Sequence, residues 1–170
     1  MPDCDWIICE QSNRWAAALR MAAERDTATG GGCYRLREVR RLGELASELA
    51  RRPASLVAVE VRDKNLGDVL AWLSAAERQF PWARCVALVD RSLSSENPTV
   101  GPDSEDSLHD VCDTLREAGA LEVAESPRRL RPLLELARRH AMATAQHQAI
   151  VAENVPFALQ VWATLPWQEA

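Results

Sequence analysis

The chain alternates between short apolar runs and longer stretches in which apolar residues recur with helical periodicity. The clearest apolar run is residues 55–61, with the sequence Ser-Leu-Val-Ala-Val-Glu-Val. An unbroken run of this kind is typical of a strand buried on both faces of a parallel sheet. Similar segments predict strands over residues 5–10, 34–39, 85–89 and 121–124. Segment 34–39 alternates apolar and charged residues, which favours a position at the sheet edge.

Between these strands, apolar residues recur at intervals of three and four, which predicts helices. The predicted helices cover about 14–24, 41–52 and 66–79, a segment from Leu108 to Gly119, and a last helix that starts at Pro127 and continues through Ala145 or further. Short loops that join five strands to five helices predict a parallel sheet covered on both faces. The predicted sheet core consists of Ile7, Ile8, Leu56, Val57, Val59, Val86, Leu88 and Val123.

Two segments do not belong to this α/β pattern. Residues 91–107 are rich in Ser, Pro, Gly and acidic residues, which predicts a mobile insertion loop. The α/β domain is predicted to cover residues 1–143, and residues 144–170 form a helical C-terminal extension in which Pro156 begins a helix. The extension packs either on its own domain or on another copy in a homodimer. Its predicted interface residues are Phe157, Val161, Trp162, Leu165 and Trp167.

Composition narrows the classes of protein. The chain has 170 residues, 47% apolar and 26% charged, with a net charge of −5. This charge argues against a general nucleic-acid binder. No run of 18 apolar residues and no secretory signal is present, and the five scattered cysteines form no CxxC pair. We therefore expect a cytoplasmic protein with reduced thiols, no membrane contact, no metal and no cofactor.

The spacing over residues 5–141 resembles the receiver domain of bacterial two-component response regulators, a CheY-like domain. The strongest matches are ASLVAVEVRD, which resembles the strand that carries the phospho-acceptor, and LREAGALEVAESPRRLRPLLELARRH, which resembles the run from the fourth helix to the fifth helix. The resemblance implies a flavodoxin-like three-layer (βα)5 fold with strand order 2-1-3-4-5. It also implies that the carboxyl edge of the sheet is the functional edge.

At that edge, the residues depart from the family's pattern. The acceptor position matches Glu60 instead of Asp, and only Glu10 is a carboxylate after the first strand. Asp90 stands where the family has Thr or Ser, and Ser126 stands where it has Lys. The resemblance therefore implies a degenerate phospho-acceptor pocket formed by these four residues. Crowded acids repel one another, so we expect a raised pKa on at least one of them.

Glu60 has two interpretations. It mimics a phosphorylated Asp and locks the domain in one state, or it is a structural carboxylate held by loop amides or by Arg62. Magnesium binding by Glu10, Glu60 and Asp90 is a third use of the same oxygens, and we favour solvated carboxylates over it. Cys9 lies near the pocket, where we expect a packed thiol.

Three functions remain open. The favoured one is a non-catalytic pseudo-receiver that signals through protein partners, since no arrangement of nucleophile and base stands out. The second is a receiver that accepts phosphate on a carboxylate at the sheet edge. The third is a flavodoxin-like nucleotide or small-molecule binder, although Gln11-Ser12-Asn13 follows the first strand in place of a glycine-rich phosphate loop.

Overall fold

The computed structural model describes the backbone of residues 3–89 and 104–163 and the side chains of residues 3–89 and 108–154. Five strands alternate with five helices along these ranges. In chain order the elements are β1 (Asp3–Cys9), α1 (Arg14–Ala28), β2 (Cys33–Val39), α2 (Leu42–Arg51), β3 (Leu56–Val61), a 3-10 turn (Asp63–Asn65), α3 (Leu66–Gln79), β4 (Arg84–Val89), α4 (Ser104–Glu117), β5 (Glu122–Ala124) and α5 (Arg131–Ala163).

All strand pairs are parallel, and the order across the sheet is β2-β1-β3-β4-β5. This is the predicted order, so the predicted fold class is confirmed. Strand β3 lies at the centre, and all six of its residues are buried. The alternating segment 34–39 lies in β2, which is an edge strand. In β2 the residues from Cys33 to Glu38 alternate between exposed and partly buried positions, because only one face of the strand is covered.

Side chains that alternate along the strands divide the core into two layers. On one face, α1 and α5 pack against residues such as Trp6, Ile8 and Val86. On the other face, α2, α3 and α4 cover residues such as Val57 and Val59. The predicted sheet core is confirmed, because every one of its members is buried: Ile7, Ile8, Leu56, Val57, Val59, Val86, Leu88 and Val123. Apolar burial on both faces explains why β3 and β4 read as continuous apolar runs.

Several predicted helix boundaries are wrong. Helix α1 ends at Ala28, four residues later than predicted. Helix α5 begins at Arg131, because the preceding segment forms a turn in which the Arg129 N–H donates to the Ser126 carbonyl at 3.1 Å. That helix then runs without interruption to Ala163, so Pro156 does not begin a separate helix. It is Pro132 that occupies a first-turn position, where its missing N–H costs nothing.

The predicted insertion loop is wrong over residues 104–107, because α4 begins at Ser104, four residues before the predicted start at Leu108. Residues 91–103 of that loop lie outside the described residues. Asp90, Leu165 and Trp167 also lie outside them. Within residues 3–89 and 104–163, no helix combines the length and the hydropathy that a membrane span requires.

Candidate functional site: the carboxylate edge of the sheet

The carboxyl ends of the parallel strands meet at one edge, where ligands collect in open α/β sheets. Glu10 directly follows β1, Glu60 is the penultimate residue of β3, and Ser126 comes two residues after β5. Glu10 and Glu60 are buried, with 1% and 5% of their surface exposed. Two buried carboxylates at the same edge must each find hydrogen-bond donors or a counter-charge.

Glu10 finds its donors at the start of α1. One carboxylate oxygen accepts the N–H of Trp15 at 2.9 Å, and the other accepts the N–H of Ala16 at 2.9 Å. These amides belong to the first turn of the helix, where N–H groups have no partner within the helix and a negative charge is stabilising. The Glu10 side chain therefore caps the first turn of α1 from outside the helix.

Ser12 and Asn13 are of residue types that cap helices, so the sequence predicts a capping role for Gln11-Ser12-Asn13. This prediction is correct in part, since the Ser12 hydroxyl accepts the N–H of Arg14, the first residue of α1, at 3.4 Å. Asn13 stands at the N-cap position in a left-handed conformation, with φ of 60°, and its side chain makes no capping bond. The chain turns at Asn13 so that the helix points its free amides back at Glu10. Asn is one of the few residues that tolerates this conformation at low cost.

Glu60 connects two loops. One oxygen accepts the backbone N–H of Gln11 at 2.8 Å, and the other accepts the Ser12 hydroxyl at 2.7 Å and an Arg62 guanidinium nitrogen at 2.8 Å. The Glu60 carbonyl accepts the Asn65 side-chain amide at 3.0 Å, and Asn65 in turn accepts the Arg62 N–H at 2.7 Å. The side chain thus joins the β1–α1 loop to the β3–α3 loop.

These contacts decide the charge state of Glu60. Burial raises its pKa, but the hydrogen bonds from Arg62, Gln11 and Ser12, together with the guanidinium charge, lower it by more. The net pKa lies below the ordinary glutamate value. Crowding predicts a raised pKa on at least one of the acids at this edge, and Glu60 is not that acid. The Ser12 hydroxyl also lies 3.4 Å from a Glu10 oxygen, so it stands between the two carboxylates.

Of the predicted pocket residues, the structure brings together Glu10 and Glu60 but not Ser126. The Ser126 hydroxyl accepts the N–H of Arg128 at 3.3 Å within its own turn. No hydrogen bond among the described residues joins Ser126 to either carboxylate. In the same part of the chain, no group of three or more His, Cys, Asp or Glu side chains is arranged to hold a metal ion.

Cys9 is a packed thiol, as predicted. It is 5% exposed in the layer covered by α2, α3 and α4. Burial, followed by the negative charges of Glu44, Glu60 and Glu10, raises the pKa of Cys9 to about 11. A thiol with this pKa stays protonated at neutral pH and is a poor nucleophile.

Sequence reasoning missed Ser12 and Asn65 as members of the site. Both act by hydrogen bonds across loops: Ser12 to a carboxylate 48 positions away, and Asn65 to the Glu60 carbonyl. The available signal was the type of residue, since Ser and Asn in short loops commonly bond nearby polar groups. Arg62 was named as one possible partner of Glu60, and the structure has that contact.

No protein-family model matches the sequence, and neither does any curated protein. Solved structures do match the fold. A response regulator from Thermotoga maritima has a TM-score of 0.58 and 19% identity over 82% of this chain and 98% of its own. A CheY-like protein (tadZ) from Pseudomonas aeruginosa PAO1 has a TM-score of 0.54 and 13% identity over 79% of this chain and 92% of its own.

A third structure, a putative pilus assembly-related protein from Burkholderia pseudomallei, has a TM-score of 0.50 and 16% identity, covering 82% of this chain and 91% of its own. Each of these proteins is matched over nearly its whole length. Together with the strand order, they show that this chain has the CheY-like receiver fold. At such low identity the similarity shows the fold alone.

Proposed function

We propose that this chain is a pseudo-receiver, a non-catalytic signalling module that acts through protein contacts and is not switched by phosphorylation. The observation that carries this proposal is the state of Glu60. Its two carboxylate oxygens already accept hydrogen bonds from Gln11, Ser12 and Arg62, all between 2.7 and 2.8 Å. The charge of the acceptor position is thus balanced within the chain.

A phosphoryl group on Glu60 would have to displace these donors. The reaction needs a carboxylate oxygen free to attack and cations that neutralise the charge on the transferred group. Here the nearest cation, Arg62, is 2.8 Å from a Glu60 oxygen. Ser126 stands at the position that matches the family's lysine, so that position supplies no cation. Arg40, another cation at this edge, donates to the Glu10 carbonyl at 3.2 Å.

The hydrogen bonds of Glu10 support the same proposal, because they argue against a magnesium site. Magnesium requires several oxygen ligands in octahedral geometry. Both Glu10 oxygens accept amide hydrogens of α1, and a metal that recruited them would leave those two buried amides without a partner. A module of this kind presents a fixed surface to its partners, whatever the supply of phosphodonor or Mg²⁺.

The test is to incubate the purified chain with acetyl phosphate and Mg²⁺ and to measure its intact mass. A phosphorylation-competent receiver domain treated in parallel is the positive control. A Glu60→Gln variant is the matched negative control, because an amide cannot accept the phosphoryl group. We expect the wild type and Glu60→Gln to remain unmodified while the competent receiver gains one phosphoryl group.

A phosphoryl adduct on the wild type that is lost in Glu60→Gln would contradict the proposal and support a phosphate-accepting receiver instead. The flavodoxin-like alternative has its own readout, since a nucleotide or flavin that binds the fold raises its melting temperature. A shift with either ligand, abolished by substitution at Ser12, would support a small-molecule binder.

A further inference from the structure

A cavity opens between helix α1 and the edge strand β2, on the face of the sheet that α1 and α5 cover. Its volume is about 500 Å³, and its walls include Ala23 of α1 and Leu36 of β2. It extends inward to Trp6 and Leu134, which are only 1% and 6% exposed. Sites for small molecules in proteins have volumes of about 300–1,000 Å³ and mostly apolar walls. The cavity therefore has the size and depth of a ligand site.

The cavity exists because the face of α1 that looks toward β2 carries small side chains. Ala23, Thr27 and Ala28 all line it, and Ala23 lies one helical turn from Thr27. Opposite them, Tyr34 and Leu36 share one face of β2, since side chains two apart on a strand point the same way. Both are only partly buried, although α1 packs over this face. An apolar occupant gains free energy because it removes this surface from water.

The charged groups around the cavity indicate an uncharged occupant. Arg20 lines the cavity and forms an ion pair with Glu38, and the Tyr34 hydroxyl donates to the Asp26 carboxylate. These groups are already engaged within the chain. Glu24, which is exposed and also lines the cavity, repels an anion. A cation gains little from such an exposed carboxylate, and the apolar interior disfavours any charge.

The same distribution of charge favours a small molecule over a protein surface. The apolar walls lie inside the cavity, whereas the exposed residues beside it are charged, with Glu24 and Arg25 on α1 and Arg35 and Arg37 on β2. A stable protein interface covers about 800 Å² on each partner and has few charged residues at its centre. A small molecule needs only the cavity itself. The occupant that fits is one that enters the cavity rather than one that lies across it.

Trp6, at the inner end of the cavity, adds a polar feature to the expected ligand. Its side chain is buried, and its indole N–H has no hydrogen-bond acceptor among the described residues. A buried indole N–H usually has a partner. An occupant with a carbonyl oxygen brings an acceptor to this end of the cavity.

We propose that the cavity between α1 and β2 binds an uncharged, mainly apolar small molecule that carries a hydrogen-bond acceptor and is about the size of a substituted naphthalene. The site uses neither Glu10 nor Glu60, so it does not depend on whether the carboxylate edge accepts phosphate. It adds a ligand-binding function to the signalling module.

The test uses the full chain and Prodan, an uncharged naphthalene ketone whose fluorescence shifts to shorter wavelength in apolar surroundings. Ala23→Phe and Leu36→Trp each fill the cavity, one from α1 and the other from β2. Ala17→Phe is the matched control, because Ala17 is exposed on the same helix and does not line the cavity. Circular dichroism verifies the fold of each variant, and Leu36→Trp decides the outcome if Ala23→Phe does not fold.

Prodan should bind saturably to the wild type and to Ala17→Phe, with one molecule per chain. The dissociation constant should rise at least about tenfold in each folded cavity variant, because the larger side chain occupies the space of the probe. Acetylnaphthalene, which is uncharged, should displace Prodan from the wild type. Naphthalenesulfonate at the same concentration should not, since its charge is disfavoured in the apolar interior.

Four results would each overturn the proposal. They are the absence of saturable binding to the wild type, wild-type affinity in a folded cavity variant, weakened binding in Ala17→Phe, and equal displacement by acetylnaphthalene and naphthalenesulfonate.

Discussion

The carboxylate edge of the sheet and the second half of α5 lie at opposite ends of the receiver fold. Polar groups at the edge are hydrogen-bonded within the chain, whereas apolar groups on the described part of the helix face water. At the edge, the buried oxygens of Glu10 and Glu60 accept hydrogen bonds from the chain itself. On α5, the exposed side chains of Ile150 and Val151 contribute apolar surface that the described part of the domain does not cover.

This difference indicates which of the two surfaces gains more free energy from binding a partner. A polar group whose hydrogen bonds are complete gains little from a ligand, because binding would exchange existing bonds for new ones. Exposed apolar surface gains from every contact that removes it from water. In a typical phosphorylated receiver the carboxyl edge is the functional site. Under the proposed function, the same edge is structural in this chain, because the donors that Glu60 binds come from the chain itself.

Among the substitutions that test this comparison, Glu60→Ala is expected to cause the largest loss of stability. Removing the carboxylate leaves the Gln11 amide, the Ser12 hydroxyl and the Arg62 guanidinium without their acceptor. Each lost partner of a buried group costs about 1–3 kcal/mol, and the two loops can rehydrate in part. We expect the free energy of unfolding to fall by about 2–3 kcal/mol, measured by urea denaturation.

Glu60→Gln is the matched control for that measurement. The amide keeps one acceptor oxygen and loses the charge, so the expected loss is smaller, about 1 kcal/mol. If Glu60→Ala were as stable as the wild type, the edge would not be held together by this carboxylate, and the case for a structural Glu60 would fail.

Glu10→Ala is expected to cost about 1–2 kcal/mol, the usual price of removing a helix N-cap. The amides of Trp15 and Ala16 lose the oxygens that they bond at 2.9 Å. Hydrogen exchange should be faster for these two amides in the variant than in the wild type. Glu10→Gln, which retains one acceptor, should lie between the two. Unchanged exchange at both amides would mean that α1 is capped by another group.

The α/β architecture could be read from the sequence because it depends on local patterns. Buried strands such as β3 are continuous apolar runs, and helices such as α3 show clear three-and-four spacing; the predicted range 66–79 for α3 matches the structure. These signals are carried by many residues, so a few exceptions do not change the result. Right-handed crossovers between parallel strands then restrict the possible sheet orders.

The site could be predicted only in part, because its contacts join residues far apart in the chain. Glu10 and Glu60 were found from their positions after apolar runs. Apart from Arg62, their partners were not identified, since the path of a loop decides which amide or hydroxyl faces a carboxylate. The left-handed Asn13 illustrates this, because one unusual φ turns the helix amides toward Glu10. The lowered pKa of Glu60 could not be predicted for the same reason, because it depends on donors in two loops that outweigh burial.

Acid should destabilise the domain in two steps. Burial lowers the pKa of His140, and the charge of Arg84 lowers it further. The hydrogen bond to the Ala54 carbonyl raises the pKa but does not offset these two effects. The unfolded chain therefore binds more protons below the ordinary histidine pKa, about 6.5, and stability falls as the pH drops from there toward the folded value. The lowered pKa of Glu60 adds a second loss, which starts below about 4.3 and continues to its folded pKa.

Urea denaturation at a series of pH values measures both steps. His140→Gln retains an amide donor for the Ala54 carbonyl and cannot titrate, so it should lack the upper step. Glu60→Gln should lack the lower one. An upper step that persists in His140→Gln would assign it to another group.

Trp82→Ala is expected to cause the smallest loss of stability. It tests whether the contact with His147 holds α5 where the helix leaves the domain. Trp82 is 50% exposed, and its ring centroid lies 4.4 Å from that of His147 at an interplanar angle of 34°. Pairs of rings contribute about 0.5–1.5 kcal/mol beyond their burial, and exposure places this one at the low end. We expect a loss of about 0.5 kcal/mol in Trp82→Ala and a similar loss in His147→Ala.

The double variant tests whether the two residues act through each other. If their contact holds α5 where it leaves the domain, the double variant should lose little more than either single one, because the second substitution removes a contact that is already gone. Amide exchange around residues 142–148 should be faster in all three variants. Additive losses with unchanged exchange would show that the ring contact does not hold the helix and that the bond from His140 to the Ala54 carbonyl positions it instead.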